Sequence, residues 1–80
     1  MKKIISCDVH DHFEIACMRK AKVSLELNTL EVITGIALDV YAHHGQEYLK
    51  LEVNHTPQEI ELCNIATLIF NDSEKRIRVR

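Results

Sequence analysis

Polar and apolar residues change their spacing early in this chain, and the change divides it into one helical stretch and a series of strands. From Val9 to Met18 the spacing is helical. At about 100° per residue, Val9, Phe13, Ala16 and Cys17 fall on one side of a helix. Asp8, Asp11 and Glu14 fall on the other, with Ile15 and Met18 among them. Asp8 is placed to act as N-cap and Asp11 as the third helical residue, where the positive end of the helix dipole favours acids. Arg19, Lys20 and Lys22 follow at the opposite end, where cations are favoured.

From Lys22 onward the period is two. Val23, Leu25 and Leu27 alternate with Ser24, Glu26 and Asn28, and Asn28 to Glu31 reads as a turn. Val32 to Tyr41 is the longest strand candidate. Val32, Thr34, Ile36, Leu38 and Val40 lie on one face of it, and Ile33, Gly35, Ala37, Asp39 and Tyr41 on the other. Gly35 in mid-strand predicts a bend or bulge. His43 to Gln46 reads as a hairpin loop and Tyr48 to Val53 as the return strand. Asn54 to Gln58, with the only proline, reads as a further turn. Glu59 to Cys63, Ala66 to Phe70 and Arg76 to Arg80 read as strands, with a helical turn at Asn64-Ile65 and a polar turn from Asn71 to Glu74. Met1 to Ser6 holds Ile4 and Ile5 in a short strand or extended lead-in.

One N-terminal α-helix followed by five or six short strands predicts a mainly β protein, a small bent antiparallel barrel of the Sm-like or SH3-like kind. A split sheet under one covering helix is the alternative. The expected core is Phe13, Leu25, Leu27, Ile36, Leu38, Leu49, Leu51, Ile60, Leu62 and Leu68. Eighty residues make one domain, 1–80, with the helix at about 9–18 and the barrel at about 22–80. A chain of this length buries only ~60–65% of its unfolded surface, so its core has to be efficient or helped by oligomerisation.

Charge sharpens the picture. Between Val23 and Glu74 there are nine acids and one base, Lys50; nine of the ten bases lie outside that window. The body is acidic and the ends are basic, so a phosphate backbone is repelled by most of the surface. Few aromatics and no tryptophan speak against a row of base-stacking side chains. No stretch has the length of a membrane span, and Lys2-Lys3 precedes too short an apolar run for a signal peptide. Three cysteines, an odd number, argue against a disulfide framework and for a reducing, cytoplasmic setting.

Candidate chemistry is sparse. Cys7, Asp8, His10, Asp11, His12 and Cys17 contain metal-ligating types, but Cys-x9-Cys lacks the close paired ligands of a structural zinc site. His10 and His12 point about 200° apart on a helix. No metal or other cofactor is expected. Cys17 lies on the apolar side as an inert thiol, and Cys63 reads as structural near the barrel wall. No phosphate loop or nucleophile elbow is present, so the chain does not read as an enzyme. His43 and His44 occupy a loop tip. Arg76, Arg78 and Arg80 form one face of the last strand, either paired with neighbouring glutamates or exposed as a phosphate-binding strip. The helix is the more informative feature. Carboxylates with apolar groups between them make a contact surface for a basic partner, although an ordinary solvated helix face has the same pattern.

Several segments together resemble the Rho-binding antiterminator family, also called Rof. They are Ile5-Ser6-Cys7-Asp8, the helix ending Glu14-Ile15-Ala16-Cys17, Val23-Ser24-Leu25-Glu26-Leu27, Glu47-Tyr48-Leu49 and Glu59-Ile60-Glu61-Leu62. The resemblance covers roughly residues 4 to 70. It implies an Sm-like barrel with an N-terminal helix that binds the N-terminal RNA-binding domain of the hexameric transcription termination factor Rho. Binding there blocks the primary RNA site and inhibits Rho-dependent termination. Carried over by position, the partner-binding residues are Asp8, Asp11 and Glu14, with Ile15 beside them and His10 where other members carry an aromatic. His43-His44 stands where some members carry basic residues. A monomer is expected, with no membrane partner and no direct contact to nucleic acid. An Sm-like RNA-binding domain or a general protein-interaction domain is the alternative reading.

Overall fold

The computed structural model describes residues 7–79. Helix α1 (Cys7–Arg19) is followed by six strands: β1 (Lys22–Leu27), β2 (Val32–His43), β3 (Gln46–Val53), β4 (Thr56–Glu61), β5 (Ile65–Phe70) and β6 (Lys75–Arg78). A short 3-10 turn, Leu62–Asn64, joins β4 to β5. All pairings are antiparallel, in the order β4-β3-β2-β1-β5-β6. This is the mainly β, one-helix architecture that the alternation predicts. The expected lead-in strand from Met1 to Ser6 and the end of the last strand at Arg80 lie outside the described residues.

Strand β2 makes the sheet curve. Its first half pairs with β1, from Val32↔Glu26 to Ile36↔Lys22, and its second half pairs with β3, from Ile36↔Glu52 to His43↔Gln46. A residue is gained between Ala37↔Leu51 and Asp39↔Lys50, so Leu38 is a bulge. The bulge changes which side chains face inward. Before it, Gly35 and Ala37 are buried; after it, Val40 packs against the core. The expectation that Ile36 and Leu38 enter the core is therefore corrected: both are only half-buried, on the outer side. Gly35 has its own reason to be glycine. A Cβ there would meet the Glu52 carbonyl oxygen at 2.3 Å, so only a residue without one lets β2 fold this closely over β3.

The core holds Phe13 and Ala16 from the helix, and Val23, Leu25, Ala37, Leu49, Leu51, Ile60, Leu62, Ile65, Leu68, Phe70 and Val79 from the sheet and its connections. Leu27, expected inside, is half-buried and packs on the margin. Tight turns join the strands. His44 and Gly45 both have positive φ, 53° and 78°, as do Asn54 and His55, at 52° and 66°. Two successive positive-φ residues give the hairpin turn that suits strand twist. The second turn is shorter than the expected Asn54–Gln58 segment. Pro57 lies inside β4, opposite Glu52, which the sheet accommodates because β4 is an edge strand and needs no outward donor from that residue.

Candidate protein-binding surface

Helix α1 lies against β2 and reaches β6. Phe13 and Ala16 are buried beneath it, and Val9 and Cys17 pack beside them. The opposite side is open to solvent. Asp11 and Glu14 are exposed, and on the same side of the helix Ile15 is 43% and Met18 83% exposed. The helical spacing in the sequence thus places two carboxylates and two large apolar groups on one outward arc. Phe13 is fully enclosed, so the apolar part of any contact on this helix comes from Ile15 and Met18. Asp8 lies within α1, whose described start is Cys7, and so is not its N-cap.

His10 occupies the flank of this face. Its Nδ1 lies 3.5 Å from Glu14 Oε2 and its Nε2 2.7 Å from Glu47 Oε1 on β3. That oxygen of Glu47 is closed off from water. That shielded oxygen has no hydrogen-bond partner among the described residues, and His10 Nε2 is the polar atom brought close to it. The histidine therefore bridges helix and sheet, with one ring nitrogen beside Glu14 and the other beside Glu47, rather than standing free beside Asp11. Glu47 joins the site from a distant strand, and nothing in the local sequence pattern announces it.

The remaining residues with chemical potential are placed as follows. Cys17 is half-buried, and burial, followed by the nearby negative charge of Asp39, pushes its thiol up to about 11. It is a poor nucleophile in the folded protein. Alkylation of Cys17 by iodoacetamide at pH 8 should be roughly 10–100-fold slower in the native protein than in denaturant. The proton linkage has a definite sign. The unfolded thiol ionises near its ordinary 9.0, before the folded one, so the contribution of Cys17 to stability is complete below that pH and declines as pH rises toward about 11. Equal alkylation rates in the two states would contradict this environment. Cys63 lies in the 3-10 turn rather than in a strand, with its Sγ 3.5 Å from Glu61 Oε2.

Among the described residues, no group of three or more His, Cys, Asp or Glu is arranged to hold a metal ion. Arg76 pairs with Glu26 at 2.8 Å, in keeping with the paired reading of the last strand, and Arg19 pairs with Asp72 at 3.2 Å. His43 and His44 are exposed at the hairpin tip, their rings edge to face at 4.1 Å.

Fold and surface together define a one-helix, six-stranded β protein whose helix carries exposed carboxylates and exposed apolar side chains on one side. Residues 4–79 match the family model described as modulator of Rho-dependent transcription termination (ROF). Two curated relatives, each named Protein rof, come from Escherichia coli strain K12 and Shigella flexneri. Each is 32% identical over 63 residues, covering 79% of this chain and 75% of the relative. The solved structure of YaeO bound to magnesium, from Vibrio cholerae O395, shares the fold with a TM-score of 0.78. It is 22% identical, and the match covers 88% of this chain and 96% of that one. The chain belongs to the Rof family of modulators of Rho-dependent transcription termination.

Proposed function

We propose that this protein binds the N-terminal RNA-binding domain of Rho through the outer face of α1, covers its primary RNA site and so inhibits termination. The observation that carries this reading is the outward arc of Asp11, Glu14, Ile15 and Met18 on a helix anchored by Phe13 and Ala16. A site that holds single-stranded RNA offers positive charge along the backbone track and aromatic surfaces for bases. Carboxylates match the first, and the exposed apolar side chains match the second. The acidic body that repels RNA is attracted to the same groove, which favours competition over co-binding. Asp8, His10, Asp11, Glu14 and Ile15 form the proposed contact set, with His10 acting through its hold on Glu14 and Glu47. The protein acts as a monomer in the cytoplasm, with no catalytic step and no nucleic-acid contact of its own.

The test is a competition experiment. Fluorescence anisotropy of a labelled cytidine-rich RNA on Rho should fall as this protein is added, and the isolated N-terminal domain of Rho should bind the protein as the full hexamer does. Binding retained by Rho lacking that domain, or RNA left in place at saturation, would overturn the reading.

A further inference from the structure

A second surface lies away from the helix face. Side chains alternate along β3, so Tyr48 points to the opposite side of the sheet from Leu49 and its buried neighbours. On that outer side, Tyr48 stands opposite Tyr41 of β2, the two rings stacked with centroids 5.8 Å apart and planes inclined by 27°. The Tyr41 hydroxyl donates a hydrogen bond to Glu59 Oε2 on β4. Tyr41, Tyr48, His43 and Glu59 line an open groove of about 240 Å³. The sheet register adds further negative charge around it, since Glu61 stands opposite Tyr48 and Asp39 lies two residues before Tyr41, while Lys50 stands between Asp39 and Glu59.

The geometry points to a docking site for an arginine side chain of a partner protein, with the guanidinium lying on the Tyr41–Tyr48 pair and its N–H groups directed at the Glu59 carboxylate. A guanidinium is planar and weakly hydrated, stacks on aromatic faces and forks onto carboxylates, whereas a lysine ammonium does only part of this. Glu59 has acceptor capacity beyond the lone pair taken by Tyr41. That hydrogen bond pushes the Tyr41 phenol up to about 12, so the ring stays neutral and its hydroxyl stays a donor that holds Glu59 in place. The same aromatic pair would stack a nucleobase, but the surrounding carboxylates oppose the phosphates that come with one. This surface is separate from the helix face and does not depend on the identity of the partner proposed there.

The chain has two tyrosines and no tryptophan, and both tyrosines line this groove. Tyrosine ring resonances therefore report on it alone. Titration with tetra-arginine should shift them saturably, with an affinity about two- to fivefold higher than for tetra-lysine. Glu59→Gln should lower the arginine affinity by a similar factor, and Asp11→Lys on the helix should leave the tyrosine shifts in place. Equal affinities for the two peptides, an unchanged affinity in Glu59→Gln, or tyrosine shifts produced by a single-stranded RNA oligonucleotide and not by tetra-arginine would each overturn the assignment. The peptide comparison uses the unaltered protein, so a variant that fails to fold does not remove the test.

Discussion

Leu51→Ala should destabilise the folded protein by about 2–5 kcal/mol. Leu51 is fully buried on β3, between Ala37 of β2 and Gln58 of β4 in the register, where three strands share one layer of side chains. Removing its branched end withdraws apolar surface from the core and leaves a space that the crowded crossing of β2 over β3 does not readily fill. For a domain of this length, total stability is about 4–12 kcal/mol, so the loss is a large part of the whole. Urea denaturation should show it as a lower midpoint with little change in slope. Gly35→Ala should also destabilise, by about 1–3 kcal/mol, because it overpacks the same crossing. Combining the two should not restore stability. An added Cβ at Gly35 would lie 3.0 Å from Leu51 Cγ but 2.3 Å from the Glu52 carbonyl oxygen, and shortening Leu51 leaves that main-chain clash untouched. A midpoint unmoved by Leu51→Ala would show that the β3 register is wrong.

That crossing also marks the limit of what the sequence pattern reveals. In β1 and β3 the alternation is between apolar and polar residues, and the inward set is read off directly. In β2 both faces are apolar: Ile33 and Ala37 compete with Ile36 and Leu38, and period two has no preference between them. The choice is made by tertiary geometry. Gly35 permits the close approach, and the bulge at Leu38 then turns Val40 inward, so one strand presents different faces along its two halves. Pro57 illustrates the same limit. Locally it is a turn signal, and it becomes a strand residue only because β4 lies at the edge of the sheet, a fact of strand order that no neighbouring residue encodes.

The helix face was more legible because helical spacing alone separates Phe13 and Ala16 from Asp11, Glu14, Ile15 and Met18. What it does not disclose is the division of labour among the polar residues. In the sequence pattern His10 is equivalent to its neighbours; the fold of β3 brings Glu47 within 2.7 Å of it. The contact converts a candidate surface residue into a link between helix and sheet. It also distinguishes the two outward carboxylates, since Glu14 faces His10 at 3.5 Å while Asp11 lies a turn away on the exposed arc.

For this reason Asp11→Lys is the substitution expected to affect Rho binding most. Asp11 is exposed and central to the proposed contact, so a lysine there replaces attraction to a basic groove with repulsion without touching the core. A carboxylate that becomes partly desolvated against a cationic partner is worth about 2–5 kcal/mol on truncation, and reversing its sign should remove detectable displacement of RNA from Rho. Glu14→Lys should have a smaller effect, because that carboxylate already faces the His10 imidazole at 3.5 Å and lies less freely on the outward arc. Raising the salt concentration should weaken the wild-type complex mainly by slowing association, as expected when long-range attraction brings the two surfaces together. Stopped-flow binding and RNA competition, with circular dichroism to verify folding, separate these effects for Asp8→Lys, Asp11→Lys and Glu14→Lys. If all three reversals are folded, bind Rho and displace RNA as the wild type does, α1 is not the surface that meets Rho, and the competitor's contact must be sought elsewhere on the sheet.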